Sequence, residues 1–541
     1  MHFSHVSIGG GITGIETIIS AFKSIQRKIK KNKKIKNRKI TFIIIDKNPE
    51  NIPGGVAYGF KNSQFGYFNN PIRLTPFEFT KWLTKKENKK KIIEYLNLFG
   101  GYTGKEWIKK NTNILYSSKI KNINELYIPR AITNLWMEEK LLWLISELKK
   151  KNKKSKIKFE IQFLKGEVVA IQKLKGHYNK IIFKNNYYEI LKYKIKKNSF
   201  KQINFKKERI GKQPVISITQ NIGLGLPPPK QLATKKAKNN EYYIWDFYSE
   251  GSTSKLIKKI LILKERKKKI KIYFIGYKAG LLESLPELQE VIKRKKINIE
   301  IICSSRDLTS IQEAKPSSNK KKYILQVLKK NKLSIINTAE KLYLSIIKEF
   351  ELSLLLGYKK YDAWTCILNE KILDKCINQF SDNEKRKYFD FFFNKLRNIT
   401  RFTYPETIIA REKLLKLKIL KTNKETVQKI DFLRGNLIVL TKNERKKINK
   451  YKCDIVVNVS GPLNVETLKN EIPLIQSLKK NGSKSLSGGF IVNNYFKINQ
   501  TNNIFTPGIL ARGFNPERKT IIKAILENSQ KAGESIAKIL F

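Results

Sequence analysis

A short apolar strand that runs into a glycine turn and then a helix constrains this chain more than any other feature. His5-Val6-Ser7-Ile8 leads into Gly9-Gly10-Gly11-Ile12-Thr13-Gly14, a GxGxxG run, and Ile15 to Phe22 continues in helix-like fashion. In such a unit Gly9 permits the tight turn, Gly11 lets the backbone approach a pyrophosphate, and Gly14 lets helix and strand pack closely. The helix N-terminus then faces the phosphates. A second apolar strand, Ile40 to Ile45, ends in Asp46, an acid suited to a ribose hydroxyl. Asp46 lies further on than the usual ~20 residues. The excess is the run Arg27 to Lys39, read as a solvated basic stretch between helix and strand. A surface insertion of this kind adds little closure entropy.

With 541 residues the chain is long enough for two or three domains, and at 41% hydrophobic it can bury large cores. A formal net charge of +65 invites a nucleic-acid reading. The lysines, however, are spread along the whole chain and accompany frequent Ile and Asn, as compositional drift in an AT-rich genome would produce. We therefore expect no specific nucleic-acid partner, only salt-sensitive non-specific binding. Four cysteines (Cys303, Cys366, Cys376, Cys453) and three histidines (His2, His5, His177) show no metal-ligand spacing, so no metal is expected. Sparse cysteine and an N-terminal strand in place of a signal peptide fit a cytoplasmic protein. No uncharged apolar run approaches the ~18 residues of a membrane span.

Further along come the loop Gly54-Gly55-Val56-Ala57-Tyr58-Gly59, the element Phe68-Asn69-Asn70-Pro71 and a helix-like stretch from Phe77 to Leu83. Tyr127-Ile128-Pro129-Arg130 opens another helix, with Ile132, Leu135, Trp136, Leu142, Ile145 and Leu148 at helical spacing. Phe159 to Ile171 and Lys180 to Ile190 read as strands. In this order, the motifs resemble the FAD/NAD(P)-binding oxidoreductases with two dinucleotide-binding domains, and more narrowly a poorly characterised bacterial branch of them. Later segments extend the resemblance over nearly the full length. Tyr242 to Phe247 looks like the branch's acid-and-aromatic stretch, and Lys271 to Gly276 like its second nucleotide strand. Ile302 to Arg306 resembles its strand ending in Ser-Arg, and Asp454 to Pro462 the strand that closes the flavin domain. Ile504 to Gly513 resembles the last FAD-contacting segment.

The resemblance implies an α/β fold of two Rossmann-like dinucleotide-binding domains, the second inserted in the first, plus a helical insertion. The implied segments are 1–205 and 461–541 for FAD, 206–319 for the second nucleotide, 320–420 for the insertion and 421–460 for return strands. It places Gly9, Gly11 and Gly14 on the FAD pyrophosphate and Asp46 on the adenosine ribose. Gly54, Gly55 and Tyr58 would lie on the loop approaching the flavin, Asn69 near the isoalloxazine edge, and Val168 beside the adenine. Gly508 and Gly513 would close over the flavin. At the second site the family pattern is roughly G-x-G-x-x-x-D, and this chain has Gly276-Tyr277-Lys278-Ala279-Gly280-Leu281-Leu282-Glu283. Lys278 replaces a glycine; it could meet phosphate as a point charge or mark a decayed site. Arg306 is placed for a 2′-phosphate, favouring NADPH over NADH. Val215 to Gly223 offers only a displaced glycine where the family's Ala-Thr-Gly strand end is expected. Trp364 and Asn398-Ile399-Thr400-Arg401 resemble the branch's helical insertion, where Arg401 is either a carboxylate ligand or a surface charge.

The chain lacks the CxxxxC of flavin disulfide reductases near its first nucleotide motif, and His177 lacks the surroundings of a Baeyer–Villiger fingerprint. What the resemblance leaves is an FAD-dependent, NAD(P)H-reduced oxidoreductase of monooxygenase or N-hydroxylase type acting on a small molecule, with no catalytic side chain assigned. The alternatives are a flavin-binding protein with a degenerate nicotinamide site and a partner role, and an RNA-binding protein suggested by charge alone.

Overall fold

The computed structural model describes residues 3–541 except 32–37, 60–64, 118–119, 155, 195–198, 208–213, 221–231, 248–250, 278, 306–310, 320, 461–464, 466–471, 487–488 and 512–520. The chain divides into two compact units: residues 1–60, 133–224 and 464–541, and residues 61–132 and 225–463. The second unit thus interrupts the first twice along the sequence.

The first unit is built on strands β1 (Phe3–Ile8), β2 (Arg38–Asp46), β3 (Ile157–Lys165), β4 (Val168–Lys173), β5 (Asn179–Phe183), β6 (Tyr187–Lys194), β7 (Ser199–Lys207) and β8 (Val215–Gln220). Their spatial order is β4-β5-β8-β1-β2-β3-β6-β7. The centre, β8-β1-β2-β3, is parallel, and the flanking pairs are antiparallel. A short strand, Ile504–Phe505, returns parallel to β8. Parallel strands covered on both faces read as unbroken apolar runs, and in β2 Ile40 to Ile45 are all buried. The stretches Phe159–Ile171 and Lys180–Ile190 each form two strands rather than one. Gly166 and Glu167 separate β3 from β4, and a turn over Lys184–Asn186, with Asn185 and Asn186 at φ 53° and 54°, separates β5 from β6.

The helix after β1 runs from Ile12 to Lys31, well past Phe22. The first part of the basic stretch is therefore helical, and Lys28, Lys30 and Lys31 fall in the last turn, where the negative helix pole favours cations. Ile15, Ile18, Ile19, Phe22 and Ile25 face the core. This helix packs against the C-terminal helix, Ile521–Leu540, at a close crossing. A Cβ on Gly533 would stand 2.6 Å from the Thr17 carbonyl oxygen, 2.7 Å from Ser20 Cβ and 2.8 Å from the Ala21 nitrogen.

The second unit has its own parallel sheet, from β9 (Tyr243–Ile244), β10 (Ile270–Ile275), β11 (Ile299–Ser304), β14 (Leu420–Asn423) and β18 (Ile455–Asn458), in the order β14-β11-β10-β18-β9. This corrects one expectation. The strand in Asp454 to Pro462 does not close the first unit; it pairs with β10, Ile272 opposite Ile455. A four-residue apolar strand buried on both sides carries no mark of which parallel sheet it joins. Between β14 and β18 lies an antiparallel meander, β15 (Glu425–Leu433), β16 (Asn436–Asn443) and β17 (Ile448–Cys453).

Between β11 and β14 the chain makes a helical excursion. It leaves through β12 (Gln312–Glu313) and returns through β13 (Phe402–Thr403), which pair side by side. Helices Ala339–Leu355, Lys360–Asn369 and Ile372–Asn378 and the turns after them enclose a separate core that includes Leu342, Ile346, Phe350, Ile367 and Tyr388. Buried Glu349 organises its entrance, accepting from the Tyr323 hydroxyl and from the amides of Gln326, Val327 and Leu328.

Two stability tests follow. Gly533→Val forces a side chain into backbone and should cost about 1–3 kcal/mol, read as a lower thermal midpoint; an unchanged midpoint would contradict the close crossing. In the second sheet, Glu300 on β11 pairs with Lys421 at 2.6 Å and Lys269 at 2.9 Å. Lys421 and Lys269 hold its carboxyl down to about 2. A carboxylate depressed in the folded state stabilises fully above its ordinary value near 4.5 and loses that contribution as pH falls toward about 2. Both lysines are half-exposed, so Glu300→Gln should cost only ~1 kcal/mol at pH 7. Thermal melts of the two proteins should draw together as pH drops below the ordinary carboxylate value.

Candidate functional site

The parallel strands of the first unit end at one edge, and the glycine segments meet there. Gly9, at φ 96°, turns the chain out of β1, and its amide donates to the Ile45 carbonyl at 2.7 Å. The amide of Gly10 donates to Asp46 Oδ2 and that of Asn48 to Asp46 Oδ1, each at 2.8 Å. Burial pushes the Asp46 carboxyl above its ordinary range, and these two amides oppose the push. Asp46 thus fastens the glycine turn to the loop after β2, while each of its oxygens keeps lone-pair capacity for a further donor.

The same loop brings Gly54 and Gly55 to the turn. Gly55 has φ 67°, and a Cβ there would lie 3.1 Å from Gly11 Cα; a Cβ on Gly11 would lie 3.2 Å from Gly55 Cα. The two backbones touch because neither residue has a side chain. Behind them a Cβ on Gly10 would strike Ile52 Cγ1 at 2.5 Å. Gly54 lies against Asn134, and Tyr58 is buried in the short helix Gly55–Tyr58. The C-terminal segment arrives from the other side, where a Cβ on Gly508 would sit 3.8 Å from Thr13 Cγ2. Val168 opens β4, and just before it the Gly166 amide donates to the Asp46 carbonyl at 3.0 Å. Gly9, Gly11, Gly14, Asp46, Gly54, Gly55, Val168 and Gly508 are therefore gathered within one unit. Gly513 lies outside the described residues.

The Ile12–Lys31 helix begins directly after these glycines. Its bonding begins with the Ile15 amide to the Gly11 carbonyl at 3.1 Å, and its first turn carries no acid. The amides of Ile12, Thr13 and Gly14 have no partner within the helix. Glu16, the fifth residue, is buried but bonded to Lys140, whose ammonium lies over the Trp136 ring at 4.7 Å from its centroid.

Sequence reasoning missed Gln220. It ends β8 opposite Ile8, is wholly buried, and its Oε1 accepts from the Thr506 hydroxyl at 3.2 Å. Its Nε2 has no partner among the described residues. The available signal was a long polar side chain closing the strand Val-Ile-Ser-Ile-Thr-Gln. His5, nearby on β1, lies between the Ser217 and Thr219 hydroxyls, and burial lowers its pKa to about 3, so it is a neutral cross-strand tie.

In the second unit, Gly276 follows β10 at φ 100°, and its amide donates to the Ser304 carbonyl at 2.8 Å. A Cβ there would stand 2.9 Å from Ser460 Cα. Gly280 is the second residue of the helix Ala279–Lys295, whose first turn also lacks an acid. Lys278 and Arg306 lie outside the described residues. Asn69 belongs to this unit, where its Oδ1 accepts from the Thr403 hydroxyl at 3.3 Å and Arg130 at 3.5 Å. Trp364 packs into the core of the helical excursion, and the Arg401 carbonyl accepts from Gln312 at its neck.

The arrangement is that of a protein with two dinucleotide-binding units, and comparison with solved structures agrees. The ornithine N-hydroxylase of Kutzneria sp. 744, with reduced FAD, NADP+ and L-ornithine, matches with a TM-score of 0.53 at 9% identity, over 99% of each chain. The L-lysine 6-monooxygenase of Pseudomonas syringae matches with a TM-score of 0.51 at 9% identity, over 99% of this chain and 100% of that one. This chain therefore has the two-dinucleotide fold of those flavoproteins. No protein-family model and no curated protein sequence matches it.

The junction can be tested without any ligand. Gly55→Ala places a Cβ at positive φ and against Gly11, so a loss of roughly 1–2 kcal/mol is expected from the conformation alone. Chemical denaturation of the apoprotein measures it, and a neutral result would mean that the two loops are not held together.

Proposed function

We propose that this chain is an FAD-dependent, NAD(P)H-reduced oxidoreductase, a monooxygenase of the N-hydroxylating type acting on a small amine-bearing molecule. The observation that carries the proposal is the Gly11–Gly55 backbone contact at the start of the Ile12–Lys31 helix, whose first turn carries no acid. A turn of glycines closing on a helix start, whose first amides have no partner within the helix, fits a pyrophosphate. Asp46 keeps acceptor capacity for a ribose hydroxyl, and the Gln220 amide offers a buried donor at the same strand ends.

Bound FAD supplies electron acceptance from a nicotinamide and the activation of oxygen. The protein's part is placement. Gly9, Gly11 and Gly14 hold the pyrophosphate, Asp46 the ribose, Val168 the adenine edge, and Gly54, Gly55, Tyr58 and Gly508 the approach to the flavin. Asn69 is assigned to the flavin edge and Gly513 to the closing segment. Gly276, Lys278, Gly280 and Arg306 serve the second nucleotide, with NADPH preferred over NADH. The helical excursion, whose core is its own, is assigned to substrate choice. No helix among the described residues is long and apolar enough to cross a membrane. Four free cysteines, three of them buried, fit a cytoplasmic setting.

The test is anaerobic stopped-flow on the protein reconstituted with FAD, following absorbance near the flavin band after mixing with NADPH and then NADH. Bleaching by NADPH is the expected outcome, followed under oxygen by hydroxylation in a screen that begins with ornithine and lysine. Bound flavin that neither nucleotide bleaches, with and without those amines, would favour a degenerate second site. Failure to bind FAD at all would remove the reading.

A further inference from the structure

Each nucleotide helix carries a glutamate at its fifth residue, and each glutamate is matched by a cation from a distant segment of its own unit. In the first unit Glu16 of the Ile12–Lys31 helix meets Lys140. In the second unit Glu283 of the Ala279–Lys295 helix meets Arg130, and both side chains are about four-fifths buried, at 19% and 18% exposure. The second pair is bidentate: Arg130 Nη1 donates to Glu283 Oε2 at 3.1 Å and Nη2 to Oε1 at 2.5 Å.

A carboxylate one turn into a helix, about 6 Å along its axis, opposes the positive pole that attracts phosphate. Two charged nucleotide phosphates placed there would feel it, more strongly at low ionic strength. A guanidinium that spans both carboxylate oxygens cancels this field and leaves the helix start attractive. The geometry points to Arg130 as a positioning residue of the second nucleotide site, neutralising Glu283 so that the pyrophosphate of the nicotinamide nucleotide can bind. The inference rests on the functional reading above.

The guanidinium does not depend on Glu283 for its place. Its Nε donates to the Tyr67 carbonyl at 2.9 Å, and Nη2 also reaches Asn69 Oδ1 at 3.5 Å. The Arg130 amide donates to the Gly66 carbonyl at 2.9 Å, and Tyr67 and Pro129 form a β-bridge. Arg130 is thus seated in the Phe-Asn-Asn-Pro loop before it meets the helix. Removing the glutamate leaves a held cation; removing the arginine leaves an unpaired buried anion.

These two substitutions have opposite predicted signs, which a packing role would not produce. With the FAD-reconstituted full chain, the dissociation constant for NADPH is taken from the concentration dependence of anaerobic flavin bleaching. Arg130→Met should weaken NADPH roughly tenfold, and Glu283→Gln should tighten it roughly threefold, for one charge added or removed at this range. The double variant should return near the wild-type value, and all differences should shrink in high salt. FAD content and circular dichroism check folding. If Arg130→Met does not fold, the sign of Glu283→Gln decides alone. Weakening by Glu283→Gln, or an Arg130→Met protein that binds NADPH as the wild type does, overturns the inference while leaving the oxidoreductase reading intact. A wild-type protein that neither NADPH nor NADH bleaches overturns that reading, and the inference with it.

Discussion

The contact between Gly11 and Gly55 is the constraint on which the first unit depends. Parallel pairing of β1 with β2 sets Ile8 beside Ile45, so the two strands end level. The Gly9 amide then closes on the Ile45 carbonyl, and Asp46 draws Gly10 and Asn48 together. With the ends fixed in this way, the loop after β2 passes across the turn after β1. Only two facing glycines allow the backbones to approach within 3.1–3.2 Å of a notional Cβ. A side chain on either would push the two loops apart beside the helix start, the place where a pyrophosphate approaches in units of this kind.

The parts of this design that were legible in the sequence are those with local chemical causes. The glycine turn, the apolar strand ending in Asp46 and the helix from Phe77 depend on residues near one another, and all three appear as read. Long-range pairing left weaker marks. β18 is Ile-Val-Val-Asn and could have joined either parallel sheet; its place beside β10 is set by register with Ile272, which no local pattern encodes. The breaks at Gly166 and at Asn185–Asn186 were visible as residue types but not as chain reversals, because glycine and asparagine are also tolerated within an irregular strand. The basic stretch hid part of a helix, since lysine propagates helix well and its charge says only that the surface is wet.

The distribution of charge also reads differently once the fold is known. Exposed pairs such as Lys424 with Glu444, both side chains more than half exposed, are made in high dielectric. Such pairs contribute little stability. The acids, far fewer, are used where position matters: Asp46 at the glycine turn, Glu349 at the entrance to the helical core, Glu425 between the Thr441, Asn449 and Tyr451 side chains. In a chain with 110 Lys and Arg against 45 Asp and Glu, an acid in a buried, hydrogen-bonded setting carries more structural information than any cluster of cations. Glu16, which is buried, and Glu283, which is about four-fifths buried, are each matched by one specific cation, Lys140 and Arg130.

The polar seam between β1 and β8 points the same way. A parallel sheet buried on both faces has no need of His5, Ser217, Thr219 and Gln220, and burying them costs free energy unless every polar atom is matched. His5 is matched on both ring nitrogens by hydroxyls of the neighbouring strand, and Gln220 Oε1 is matched by Thr506. The seam therefore closes on itself until its last atom, the Gln220 amide nitrogen, which has no partner among the described residues. That donor lies where β8 ends beside Ile8, one residue before the glycine turn begins. A buried donor left over at the end of an otherwise satisfied network asks for an acceptor at the strand ends, and the proposed FAD would be rich in them.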